Sequence, residues 1–350
     1  MNRAPRSRQA GLSLVELMVS VAIGLLILTG VVYVFVNTSD ARRELERTSR
    51  QLENGRFAID LLGDDLRMAG FYGELNVGSL TAPTALPDPC SATVADWNSA
   101  IPVHVQGYYN GLGAPASCLI AGLNILAGTD ILVVRRARAC LAGVGTCPAA
   151  VGGMPYVQAS LCANEVSPQH VLDTANFTLK KKDCTTAADK RQYFVNIYYV
   201  STDNGSGVSV PTLKRLTFTP GSGATASSPA NFTVDPLVEG IERFHLEYGL
   251  DTTTLPAPDG SPDIYINDPN DYPASACTGA CPVNNWMNVM TVHVYLVARN
   301  LEKTPGYSDA KTYQLGTVPY TPASAVTGYR RHGYSTLVRL TNPAGRRDRP

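Results

Sequence analysis

Residues 11–36 read GLSLVELMVSVAIGLLILTGVVYVFV. From Leu12 onward this is an apolar run of 25 residues with one charge, Glu16. At 1.5 Å per residue a helix of that length crosses a hydrocarbon core of roughly 30 Å. Three arginines and no acid precede it, at Arg3, Arg6 and Arg8. That asymmetry predicts a cytoplasmic N-terminus and a translocated remainder. Two features need a reason: a carboxylate five residues into an apolar run, and a glycine at its seam.

A cleaved signal peptide has an apolar stretch of about 7–15 residues followed by a small-x-small site. This run is longer, and Thr29-Gly30 leads straight into more apolar residues. A plain signal anchor would fit the length but gives no reason for Glu16, and an ionisable group inside a membrane segment is costly and functional by default. The seam GLSLVE resembles the class III signal of type IV pilins and of type II secretion pseudopilins. The resemblance implies that a prepilin peptidase cuts after Gly11, methylates the new amine of Leu12, and leaves Glu16 as the fifth mature residue. The family more often has phenylalanine where this chain has Leu12. A buried carboxylate needs a partner, and a mature N-terminal amine of a neighbouring subunit can supply one.

Composition narrows the rest. The 350 residues can bury a substantial core in one or two domains. Twenty-nine basic residues balance 29 acidic ones, so no electrostatic footprint for nucleic acid is present. All eight cysteines lie beyond the apolar run, and their even number predicts disulfides in an oxidising compartment.

After Val36 the helical pattern continues. Residues 37–68, NTSDARRELERTSRQLENGRFAIDLLGDDLRM, contain no proline. Leu45, Leu52, Ile59 and Leu66 recur every seven residues, and Leu62 joins the same stripe. Glu46 and Arg50 form an i, i+4 pair of the favoured order. Gly55 and Gly63 each weaken the helix by up to about 1 kcal/mol relative to alanine. One helix is therefore expected from Leu12 to about Met68, on the order of 85 Å long, ended by Gly70. Its second half packs one stripe on a globular domain.

Residues 71–100 read as a turn-rich connection. Strands are expected weakly at 101–109, and more strongly at 130–138 (DILVVRRAR). Residues 139–155 look like a loop pinned by cysteines. QYFVNIYYVS (192–201), the turn Asp203-Asn204-Gly205 and TLKRLTFT (212–219) form a hairpin. Residues 221–229 read as a flexible stretch. LVEGIERFHLEY (237–248) begins as an amphipathic turn and ends as a strand. Residues 251–285 are a long polar insertion. MNVMTVHVYLVAR (287–299) alternates over the longest span, and YRRHGYSTLVRL (329–340) supplies a last strand.

The segments NIYYVS, TLKRLTF, LVEGIERFHLEYGLD, VHVYLVARN and YRRHGYSTLVRLTNP resemble the PilW family of minor pilins, similar in turn to the J-type pseudopilins of type II secretion. The resemblance covers both ends of the chain well; the middle, from Cys90 to Cys184, reads as elaboration. It implies an α+β, pilin-like fold: one long N-terminal helix, half in the membrane, packed on an antiparallel sheet domain with long disulfide-bearing loops. The expected division is a leader at 1–11, a transmembrane or filament-core half-helix at 12–36, an amphipathic half-helix at 37–69 and a periplasmic domain at 70–350. Insertions fall at about 78–100, 139–190 and 251–285. The resemblance further implies a non-catalytic subunit that primes pilus assembly within a minor-pilin tip complex. The implied partners are other minor pilins, the major pilin, prepilin peptidase, an inner-membrane platform protein and a tip adhesin, with no nucleic acid. It would begin as a single-pass inner-membrane protein and end at the pilus tip. Two alternatives stay open: a minor pseudopilin of a secretion system, or a tip adhesin on the same scaffold.

No nucleophile elbow, Walker loop or dinucleotide fingerprint appears. The five histidines, His104, His170, His245, His293 and His332, are scattered. No cofactor is implied. Structural zinc would want tight cysteine pairs near one another, so disulfides are the expected chemistry. Proximity in sequence suggests Cys140–Cys147 and Cys277–Cys281, leaving Cys90–Cys118 and Cys162–Cys184, although eight cysteines allow 105 connectivities. Asp259, Asp263, Asp268 and Asp271 make an oxygen-rich loop of the kind that binds calcium. Their spacing has no EF-hand pattern, so a solvated loop is the plainer reading.

Overall fold

The computed structural model describes residues 11, 13–115, 117–118, 121–165, 167–225, 229–253, 258–272 and 281–347. The chain divides between Ser49 and Arg50 into two units. One helix, α1 (Leu14–Arg67), runs from the first into the second.

In the first unit α1 is apolar and exposed. Leu14, Leu26 and Phe35 each keep 70% or more of their surface (76%, 73% and 70%). Three of its hydroxyls bond the helix backbone. Ser20 Oγ donates to the Glu16 carbonyl at 2.7 Å, Thr29 to Leu25 at 2.8 Å and Thr38 to Val34 at 2.7 Å. A segment whose apolar side chains are uncovered suits hydrocarbon rather than water.

In the second unit the end of α1 lies on a domain built around two sheets. Its buried residues are Gln51, Gly55, Ala58, Leu62, Gly63, Asp65 and Leu66. This corrects the expected leucine stripe. Leu62 and Leu66 are buried and Ile59 partly so, but Leu45 and Leu52 are exposed. A strict seven-residue repeat drifts about 20° per heptad on a straight helix, so the Leu45–Leu52 end turns away from the packed face. Past Arg67 the chain turns over at Gly70, which sits at φ 70° and donates its N–H to the Arg135 carbonyl.

The elements that follow are α2 (Val94–Ala100), β1 (Val105–Tyr108), β2 (Ile131–Ala137), β3 (Tyr156–Ala159), β4 (His170–Asp173), β5 (Lys190–Ser201), β6 (Thr212–Phe218), β7 (Phe232–Glu239), β8 (Ile241–Leu250), β9 (Ile264–Ile266), α3 (Cys281–Met287), β10 (Val289–Arg299), β11 (Tyr313–Leu315), β12 (Val318–Tyr320), β13 (Arg331–Arg339) and α4 (Thr341–Gly345). The first sheet runs β1-β2-β5-β3-β4, with β6 also paired to β5 and β7 paired to β6. The 12-residue β5 is long enough to pair with β3 at its start and β2 farther on. The second sheet is β13-β10-β8-β9, and every pairing is antiparallel.

Two cores lie on opposite faces of the first sheet. Ala58, Leu62 and Leu66 of the helix join Leu132, Val134, Phe244, Leu246, Val292, Val294 and Val338. On the other face Val133, Val195, Ile197 and Leu216 pack with Trp97, Phe218 and Phe232. The strands β2 and β5 are thus covered on both faces, which is why β2 reads as an unbroken apolar run. Along β10 the core takes Val292, Val294 and Leu296, while His293 and Tyr295 face the other way.

Several expectations need correction. Residues 237–239 close strand β7 rather than form an amphipathic turn. Gly240, at φ 84°, then makes the tight reversal into β8, where a Cβ would sit 2.7 Å from the Arg299 carbonyl. The 139–190 insertion holds β3 and β4, too short at four residues each to show a period. The 251–285 insertion holds β9 and the start of α3. The 78–100 stretch holds α2, capped by Thr93, whose Oγ1 accepts the Asp96 N–H. Part of the expected flexible stretch at 221–229 and most of 273–285 lie outside the described residues.

Disulfides join Cys90 to Cys118, Cys140 to Cys147 and Cys162 to Cys184. Cys281 is also disulfide-bonded, and Cys277 lies outside the described residues.

Candidate functional site

The residues singled out in sequence stand at the start of α1. Gly11 is exposed and Leu12 lies outside the described residues. Glu16 falls in the first turn of the helix, where the macrodipole favours a negative charge. Its carboxylate makes no ion pair or hydrogen bond among the described residues, and its neighbours Leu14, Val15, Leu17 and Met18 are all exposed. The geometry is a single charge on an uncovered apolar rod, with no polar partner among the described residues.

Polar residues that the leucine pattern did not flag tie the far end of α1 to the sheets. Gln51 Nε2 donates to the Ala298 carbonyl at 2.8 Å and to the Arg330 carbonyl at 3.2 Å. Asn54 Nδ2 donates to the Glu239 carbonyl at 3.1 Å. Asp65, buried, accepts from Arg136 Nε at 2.5 Å, from Asn196 Nδ2 at 2.8 Å and from the Tyr198 hydroxyl at 2.8 Å. Burial first, and then the Asp65 carboxylate, push the Tyr198 phenol well above its ordinary value, so it stays a donor. Near the helix end, Asn342 Nδ2 donates to the Ala69 carbonyl at 3.1 Å. The signal for these was available only in hindsight: polar residues recurring at helical spacing within a buried face.

The histidines are not brought together. His104 is buried and bonds the Val289 carbonyl through Nε2 at 2.8 Å, and burial lowers its pKa to about 3. With a carbonyl as partner, Nε2 carries the proton and the ring is neutral. His245 Nδ1 lies 2.9 Å from Asp130. His293 Nδ1 meets the Tyr295 hydroxyl at 2.7 Å, and that hydroxyl reaches Glu247 at 2.9 Å. His170 and His332 stand elsewhere, on β4 and β13.

The acids of the 251–285 stretch serve local turns. Asp263 accepts from Thr252 N at 2.7 Å, Asp268 from Asn270 N at 2.9 Å and Asp259 from Ser261 N at 2.8 Å. The ligand-type side chains that do converge among the described residues are Asp88, Cys90 and Cys118, and those two sulfurs are bonded to each other.

Residues 197–342 match the family model of type IV pilus-assembly protein W. Residues 6–32 match the prokaryotic N-terminal methylation motif, which takes in Gly11, Leu12 and Glu16. A type IV-like pilin from Thermus thermophilus aligns over 84% of this chain and 98% of its own, at 14% identity and a TM-score of 0.33. No curated protein sequence matches the chain. A methylation motif at the head of an apolar helix, followed by this domain, defines a type IV pilin-related protein. The two matches together support a type IV pilus minor pilin of the PilW family.

Proposed function

We propose that this minor pilin is a non-catalytic subunit that primes type IV pilus assembly within a tip complex. The observation that carries the reading is Glu16: a lone carboxylate in the first turn of an uncovered apolar helix, inside a matched methylation motif.

The physical sequence is as follows. The helix first holds the chain in the inner membrane, with Arg3, Arg6 and Arg8 keeping its N-terminus cytoplasmic and the β-rich domain periplasmic. An ionisable group inside an apolar span is costly unless it finds a partner. Cleavage after Gly11 creates an amine at Leu12 that did not exist before. Subunits that dock through their helices place one chain's amine beside another's Glu16, and the desolvated pair favours the correct register. Each incoming major pilin trades lipid contacts for helix contacts on this template. Prepilin peptidase, other minor pilins, the platform protein and the major pilin are the partners this scheme requires.

Deleting the gene tests the priming role. The expected result is a cell surface without pili. Normal pili with lost adhesion would instead make this subunit a tip adhesin, and normal pili with failed protein secretion would make it a pseudopilin.

A further inference from the structure

A cavity of about 500 Å³ opens between the start of β8, the end of β10, the β5–β6 connection and the turn after β12. Its charged lining is Glu242, Arg243 and Arg299. Behind it, the wholly buried Arg331 spends its donors on Glu242 (2.5 and 3.1 Å) and on Asp309 (3.3 Å). Glu242 is therefore already neutralised. Arg299, with a side chain only 8% exposed, reaches Glu242 at 3.4 Å through one nitrogen and stacks 4.0 Å from the Tyr329 ring. Its Nε is buried with no acceptor. Arg243 stacks 4.2 Å from Tyr320 and donates to the carbonyls of Ala127 and Glu242, with no carboxylate partner among the described residues. Three guanidiniums, Arg243, Arg299 and Arg331, thus face two carboxylates, Glu242 and Asp309.

We infer that this cavity binds a carboxylate, held by Arg243 and Arg299 and by hydroxyls from Thr202, Ser209 and Thr321 on its wall. A planar carboxylate matches the guanidinium fork. One surplus positive charge is balanced by a monoanion, whereas a phosphate dianion would overshoot. The volume falls within the range of small-ligand sites, enough for one acidic residue with its backbone or for a sugar acid. The site lies wholly in the β domain and does not depend on the assembly reading of Glu16.

The test is calorimetric titration of the full chain in detergent with two monoanionic probes, N-acetylglutamate α-amide and galacturonate. N-acetylglutamine α-amide is the uncharged control. Saturable binding of at least one acid is expected, at least about tenfold tighter than the control. Tighter binding of the glutamate probe points to an acidic side chain of a neighbouring protein, and tighter binding of galacturonate to a free sugar acid. The half-buried Arg243 tolerates replacement, and Arg243→Ser should weaken the preferred acid about tenfold without moving the melting temperature. The proposal is overturned if neither acid saturates up to about 10 mM. It also fails if the amide binds equally well, or if a folded Arg243→Ser binds like the parent. Should Arg243→Ser melt early, the acid-against-amide comparison on the parent chain decides alone.

Discussion

Asp65 shows how one residue can hold the end of α1 on the sheets. Its two oxygens serve Arg136, Asn196 and Tyr198 across the helix–sheet boundary. Asp65→Ala leaves a guanidinium and a phenol facing a hole, and breaking a buried pair this way costs on the order of 3 kcal/mol. A urea midpoint measured on the full chain in detergent should fall accordingly, and an unchanged midpoint would remove Asp65 from the account. His104 makes a second residue-scale prediction. Its folded pKa is lowered to about 3 by burial, below the ordinary value of 6.5. Between those values the unfolded chain binds the proton and the folded chain does not, so stability rises with pH across the window and is lost on acidification. The loss from pH 7 to pH 5 is about 2 kcal/mol from this group. His170 and His293, also lowered by burial, push the same way. His104→Gln should flatten the slope of stability against pH above 4 by close to one proton, and an unchanged slope would contradict it. The methylation motif around Gly11, Leu12 and Glu16 was legible in sequence because it is a fixed order of neighbours. Gln51, Asn54, Asp65 and the arginines Arg299 and Arg331 around Glu242 were not, because their partners lie far along the chain, 71 to 279 residues away for the helix residues and 57 and 89 for the two arginines.

At the scale of elements, the two helix glycines separate propensity from packing. A Cβ built on Gly63 meets Val338 at 3.8 Å, which is ordinary contact. A Cβ built on Gly55 falls 2.1 Å from the Tyr334 ring. Propensity alone would make both alanines stabilising by up to about 1 kcal/mol. Gly63→Ala should raise the melting temperature. Gly55→Ala must displace Tyr334 from its 3.3 Å bond to the Leu52 carbonyl, and overpacking of this kind costs about 1–3 kcal/mol, so its melting temperature should fall. Equal effects from the two would mean that the helix does not pack as described. The same contrast explains which elements the sequence revealed. The long helix, β2, the β5–β6 hairpin and β10 are long enough to display a period or an apolar run. The strands β3, β4, β9, β11 and β12 span three or four residues each. They exist because neighbours pair with them, a cause that no local pattern carries. The β7–β8 boundary was misread for a related reason: Gly240 turns the chain between two strands without the two-residue loop that marks a hairpin.

For the whole molecule, the β domain is self-sufficient in its cores, whereas residues 14–36 of α1 have no covering among the described residues. A rod left bare by its own chain is completed by lipid or by other rods, and its only charge has to be met by one of them. This is the central claim, and it is tested by expressing Glu16→Ala at the native level and following the protein through membrane and sheared-filament fractions. The account predicts normal leader cleavage and normal membrane content, with the variant missing from the filaments. A cleaved Glu16→Ala subunit recovered in filaments at the level of the unaltered protein would contradict it.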